Sequence, residues 1–106
     1  MLSPLQGRIA AIMRNLPQAR DFVLAGGAAL IVRGEVNRLT RDLDFFAESA
    51  DAVDRCLPAL EEALGAGGFG VERRQIGHGF ARLVVHGEGE ETIIDLGADA
   101  RLLPPE

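Results

Sequence analysis

Residues 22–46 read FVLAGGAALIVRGEVNRLTRDLDFF, and the fold turns on how this stretch is divided. Phe22-Val23-Leu24 is apolar, Gly26-Gly27 breaks the run, and Ala28 to Val32 resumes it. An Arg-bearing loop over 35–41 then leads into Asp42-Leu43-Asp44-Phe45-Phe46. The order is strand, glycine turn, short helix, loop, strand. Side chains alternate faces along a strand, so Asp42 and Asp44 point one way and Leu43 and Phe45 the other. Two carboxylates one pleat apart repel each other and are costly to bury unpaired. A hard divalent cation, which prefers oxygen ligands, relieves both difficulties.

The first strand, 22–25, is short and apolar enough to be central in a sheet. At Gly26-Gly27 the backbone can approach a ligand closely, and a helix starting at Ala28 would aim its free N–H groups at that point. The junction therefore reads as a phosphate seat, or else as a tight turn that suits close packing. Gly34 suits the C-cap of this helix. Arg38 and Arg41 precede the acidic strand, where a guanidinium balances the charge of a triphosphate. Arg38 pairing with Asp42 or Asp44 to hold the loop is the structural alternative.

Outward from this stretch, Ser3-Pro4-Leu5-Gln6 has the form of a helix start with a capping box. Leu5, Ile9, Ile12 and Leu16 repeat at helical spacing until Pro17 ends the run. On the other side, Val53, Leu57, Leu60 and Leu64 mark one face of a second helix, which Pro58 should delay or kink. Gly65, Gly67 and Gly68 lead into three strands, about 70–75, 80–86 and 91–96, joined by turns at Gly77-His78-Gly79 and Gly87-Glu88-Gly89-Glu90. Short turns make these strands antiparallel neighbours. Asp95 stands in an otherwise apolar strand and needs a partner, either a metal or Arg82. His78 and His86 have no metal-ligand spacing to another His or Cys and read as turn or surface residues, and Glu88, Glu90 and Glu91 as a solvated turn.

The 106 residues suit one domain, 1–106, with 47% apolar and 25% charged residues, an ordinary globular balance. A formal charge of -5 gives no general electrostatic footprint for nucleic acid. All eleven basic residues are Arg, so any basic contact to phosphate uses the guanidinium fork. The lone Cys56 excludes an internal disulfide, suits a reducing cytoplasm and reads as a small core residue. No segment approaches the length of a membrane span, and MLSPLQGRIAAIMR does not read as a signal peptide.

Gly26-Gly27, the helical spacer and Asp42-Leu43-Asp44-Phe45 together resemble the signature of the nucleotidyltransferase superfamily with the polymerase-beta-like palm. The longer phrase AGGAALIVRG…RLTRDLDFF is similar to the AbiEii-type branch, which includes toxin components of bacterial toxin–antitoxin systems. The resemblance covers about residues 20–105 and implies an α+β fold, a mixed, largely antiparallel sheet with helices packed on it. It also implies a third carboxylate on a later strand, the place that Asp95 takes in Thr92-Ile93-Ile94-Asp95-Leu96. Asp42, Asp44 and Asp95 would then hold Mg2+ and serve catalysis, while Gly26 and Gly27 seat the nucleotide. Ala28 stands where many relatives carry Ser, which leaves phosphate contacts there to backbone N–H groups. The implied reaction moves a nucleoside monophosphate from a triphosphate to a hydroxyl on a tRNA end, a protein or a small molecule. An antitoxin is an expected partner. Relatives usually continue into a helical C-terminal part, so the chain reads as a truncated or minimal palm, and its shortness predicts a homodimer. The alternative is a non-catalytic palm that serves as a binding or interaction module.

Overall fold

The computed structural model describes residues 2–25 and 42–98. Gly26, Gly27, the expected helix from Ala28 with its Gly34 cap, Arg38 and Arg41 lie outside the described residues. Helix α1 spans Pro4–Asn15 and a 3-10 turn follows at Pro17–Ala19. Strands β1, Val23–Ala25, and β2, Asp42–Ala47, precede helix α2, Ala50–Ala66. Strands β3, Gly70–Gly77, β4, Phe80–Gly87, and β5, Glu90–Ala98, complete the order.

These strands form one sheet in the order β1-β2-β5-β4-β3. All neighbours are antiparallel except β2 and β5, which run parallel. The sheet is therefore mixed and largely antiparallel with two helices on it, as expected. One strand departs from expectation. β1 pairs with β2 alone among the described residues and lies at the end of the sheet, not in its centre. Val23 is accordingly 48% exposed, although the run it belongs to is as apolar as a central strand.

Both helices cover one face of the sheet. Leu43 and Phe45 of β2, Ile94 and Leu96 of β5, and Ala81, Leu83 and Val85 of β4 point to that side and are buried. They meet Leu5, Ile9 and Met13 of α1 and Val53, Cys56, Leu57, Leu60 and Leu64 of α2. Burying a Leu or Ile side chain in such a core contributes about 1.5–3 kcal/mol. Burial also pushes the Cys56 thiol up to about 11, so the residue is a packed apolar group and not a nucleophile.

The ends of the helices follow from local chemistry. Ser3 Oγ accepts from the Gln6 N–H at 3.1 Å and Gln6 Oε1 accepts from the Ser3 N–H at 3.0 Å, a complete capping box. Gln6 Nε2 then donates to Thr92 Oγ1 at 3.1 Å, which ties the cap to β5. Ser49 Oγ caps α2 by accepting from the Ala52 N–H at 3.1 Å. Helix α2 runs through Pro58, which lies on its exposed side. Proline there forgoes one helical hydrogen bond where water can satisfy the freed carbonyl, so the helix is not delayed. It closes at Gly68, φ +88°, with Phe69 N–H donating to Leu64 O and Gly68 N–H to Gly65 O, each at 3.0 Å. This is a Schellman arrangement that needs the left-handed conformation glycine allows.

The acidic β4–β5 turn is not simply solvated, contrary to its composition. Glu90 Oε1 accepts the Leu5 N–H at 2.8 Å, and Glu88 pairs with Arg8. A carboxylate at a helix N-terminus meets both a free N–H and the positive end of the helix dipole.

Candidate active site

The sheet face turned away from the helices carries the acidic residues. On β2 the alternation puts Leu43 and Phe45 into the core and leaves Asp42 and Asp44 half-buried on the other side. The parallel register with β5 sets Asp44 directly opposite Asp95, and Asp42 opposite Ile93. Neighbouring strands lie about 4.8 Å apart, so the three carboxylates share one small area of the face. On the far side of β2, β1 ends with Ala25 paired to Asp44, so the chain reaches the level of the carboxylates there.

β4 adds a cation. The antiparallel register places Arg82 opposite Asp95, and its Nε and Nη2 donate to Asp95 Oδ1 and Oδ2 at 2.8 and 2.9 Å. Arg82 is thus the protein partner of Asp95, with the fork geometry that suits a carboxylate. Its pKa is raised, first by the hydrogen bond to Asp95 and also by the charges of Asp42 and Asp44. The Asp44 carboxyl is pushed above the ordinary range. Burial is the largest cause, followed by the charges of Asp95 and Asp42, with Arg82 acting in opposition. Arg82 offsets part of the negative charge that the three carboxylates bring together.

The chemistry of the donors is the test of fit for a divalent cation. The donors are hard carboxylate oxygens on adjacent strands, and Asp44 carries the cost of ionising beside two like charges. Bound cation would remove that cost, and each oxygen of Asp95 keeps a further lone pair beyond the Arg82 contact. The residues fit such an ion.

A second group was not legible in the sequence. Asp51 and Asp54 at the start of α2 and His78 in the β3–β4 turn bring ligand atoms within 4.8 Å of one another, all on exposed residues. Asp54 Oδ2 lies 2.6 Å from His78 Nδ1, and Asp54 Oδ1 accepts the Gly79 N–H at 3.1 Å. These bonds tie the hairpin tip to α2 across a separation of 24 residues, which no local spacing signals. Close approach is built in at Gly79, where an added Cβ would fall 2.8 Å from that of Ala50. His86 lies on the surface beside Glu91 at 3.3 Å.

An α+β sheet with a carboxylate pair on β2 and a third on the parallel neighbour β5 agrees with the nucleotidyltransferase palm that the sequence resembles. Two solved structures share the fold: the "putative nucleotidyltransferase from H. pylori" and JHP933 from Helicobacter pylori, each with a TM-score of 0.51 and 22% sequence identity. The alignments cover 98% and 100% of this chain but 49% and 48% of those structures, so the chain spans about half their length. The family described as nucleotidyl transferase AbiEii toxin, Type IV TA system, matches residues 9–106, and the chain belongs to that family. No curated protein sequence matches it significantly. Among the described residues no helix is long and apolar enough to cross a membrane.

Proposed function

We propose that the chain is a metal-dependent nucleotidyltransferase palm that moves a nucleoside monophosphate from a triphosphate to a hydroxyl acceptor. The observation that carries this reading is the grouping of Asp42, Asp44 and Asp95 on adjacent strands of the sheet face turned away from the helices in an AbiEii-family chain. In the reaction the acceptor oxygen bonds to the α-phosphorus, the bond to the β-phosphate bridging oxygen breaks, and pyrophosphate leaves. Such transfer needs little covalent help, and positioning with charge neutralisation supplies most of the rate.

Asp42 and Asp44 would hold Mg2+ from β2, and Asp95 would complete the set from β5. The bound ion supplies neutralisation of the attacking and leaving oxygens. Asp95 would accept a hydrogen bond from the acceptor hydroxyl, orient it and take up its proton as the bond to the α-phosphorus forms. Gly26 and Gly27 offer backbone N–H groups to the triphosphate, and Arg38 or Arg41 balances the departing pyrophosphate. The acceptor is an RNA end, a protein or a small molecule, and the family description supports an antitoxin as partner. A cytoplasmic homodimer belongs to the same proposal, and sedimentation that finds a monomer at high concentration removes the dimer from it.

The direct test incubates the folded chain and magnesium with each labelled nucleoside triphosphate, total RNA and cell extract. Label should appear in one acceptor class and vanish with Asp42→Asn plus Asp44→Asn. A second reading, a binding module without transfer, is favoured by the Arg82 grip on Asp95, which already satisfies that carboxylate without metal. Magnesium-dependent stabilisation by a triphosphate without any labelled acceptor would select it.

A further inference from the structure

The Arg82–Asp95 pair is lopsided. The Asp95 side chain keeps 13% of its surface exposed and that of Arg82 keeps 41%. The carboxylate is enclosed while the guanidinium keeps more of its surface in solvent, its Cζ 5.8 Å from the centre of the Phe80 ring. A guanidinium fork fits paired phosphate oxygens as well as it fits a carboxylate. Its charge bears on Asp42 and Asp44 as well as on Asp95. A cation so placed opposes a divalent ion at the same carboxylates.

We propose that Arg82 couples cation loading at Asp42, Asp44 and Asp95 to the arrival of a triphosphate. Without nucleotide it occupies Asp95 and weakens divalent binding. With the triphosphate present its fork passes to phosphate oxygens, its charge is matched there, and Asp95 is released to the cation. No covalent bond changes in this exchange. The inference rests on the nucleotide reading above and makes Arg82 a positioning residue, distinct from Arg38 and Arg41.

The test is calorimetric titration of manganese(II) into the full chain, alone and with each α,β-methylene nucleoside triphosphate, with the manganese–triphosphate complex in solution subtracted. Manganese affinity of the unaltered chain should rise about tenfold or more with the correct triphosphate. Arg82→Met and Arg82→Gln should bind manganese about tenfold more tightly than the unaltered chain without nucleotide, on the order expected for removing a unit charge beside the site. They should also lose most of the enhancement. Arg82→Lys keeps the charge without the fork, so it should match the unaltered chain without nucleotide and gain less from the triphosphate. A residue that merely props the sheet predicts weaker binding in every variant. That result, or unchanged affinity in Arg82→Met and Arg82→Gln, overturns the coupling and leaves the carboxylate site standing. If those two variants fail to fold by circular dichroism, a full enhancement in Arg82→Lys overturns it instead. Failure of the unaltered chain to bind manganese with any triphosphate overturns both readings.

Discussion

Two groups of acidic side chains in this molecule meet opposite circumstances. At the β4–β5 turn, Glu90 receives the Leu5 N–H and Glu88 receives Arg8, so each acid has its own donor and the turn is anchored to α1. On the sheet face turned away from the helices, Asp42, Asp44 and Asp95 lie close together, Arg82 grips Asp95, and Asp44 ionises against burial and its neighbours. The first group is matched to the protein. The second, on the function proposed above, is matched to a bound ligand. A carboxylate that serves structure lowers the free energy of the fold, whereas one that serves a ligand raises it until the ligand arrives.

The sharpest way to break this contrast is Asp42→Asn with Asp44→Asn. We expect loss of magnesium-dependent thermal stabilisation by triphosphate, and at least about a hundredfold loss of transfer, as for removing a transition-state charge contact. Retention of both would place the function elsewhere. A change in the helix-covered face should act on stability instead. Leu60 and Leu83 are fully buried, so Leu60→Ala or Leu83→Ala should cost about 2–5 kcal/mol in urea unfolding. At the anchored end, Ser3→Ala should cost about 0.5–2 kcal/mol, because it removes one half of the capping box.

The parts of this contrast were unequally visible in the sequence. The alternation in Asp42-Leu43-Asp44-Phe45 fixes which side chains share a face, and β2 keeps it. Arg82 opposite Asp95 also follows from local pattern, since the turn that pairs Gly87 with Glu90 sets every later pair of that hairpin. Asp95 beside Asp44 did not follow from pattern. The parallel pairing of β2 with β5 spans the whole α2–β3–β4 segment, and only the family resemblance suggested it. Glu90 on the start of α1 bridges 85 residues and was read as solvated for the same reason. The misplacement of β1 has another cause. Apolarity records how much a strand is buried, and an end strand packed by Phe22 and Leu24 can be as apolar as a central one.

A smaller effect sharpens the comparison from the side of stability. Asp44→Asn alone should stabilise the metal-free chain modestly, because burial first and then the charges of Asp95 and Asp42 oppose its ionised form. The raised pKa fixes the sign. The native state holds the Asp44 proton more tightly than the unfolded chain, so the carboxylate costs nothing below its unfolded pKa. Its cost grows as pH rises and is complete above the folded pKa. Unaltered and Asp44→Asn chains should therefore converge in acid and separate toward neutral pH in urea titrations without metal. Equal stability at every pH would mean that the face tolerates its charges without a ligand.

Asp54 supplies the opposite sign and the smallest change. Its carboxyl is held below the ordinary range, first by the Gly79 N–H, with burial opposing and His78 adding to the lowering. The unfolded chain binds this proton more tightly, so the contribution of Asp54 is present above its unfolded pKa and is lost as pH falls through the folded value. Asp54→Asn should flatten the acid limb of the stability curve while the neutral-pH separation caused by Asp44 persists. The two substitutions combined should act additively, since one carboxylate closes a hairpin onto a helix and the other lies on the sheet face turned away from the helices. A coupling between them in a double-mutant cycle would show that the hairpin tip and the carboxylate face form one site, and the distinction between structural and ligand-directed acids would have to be redrawn around β4.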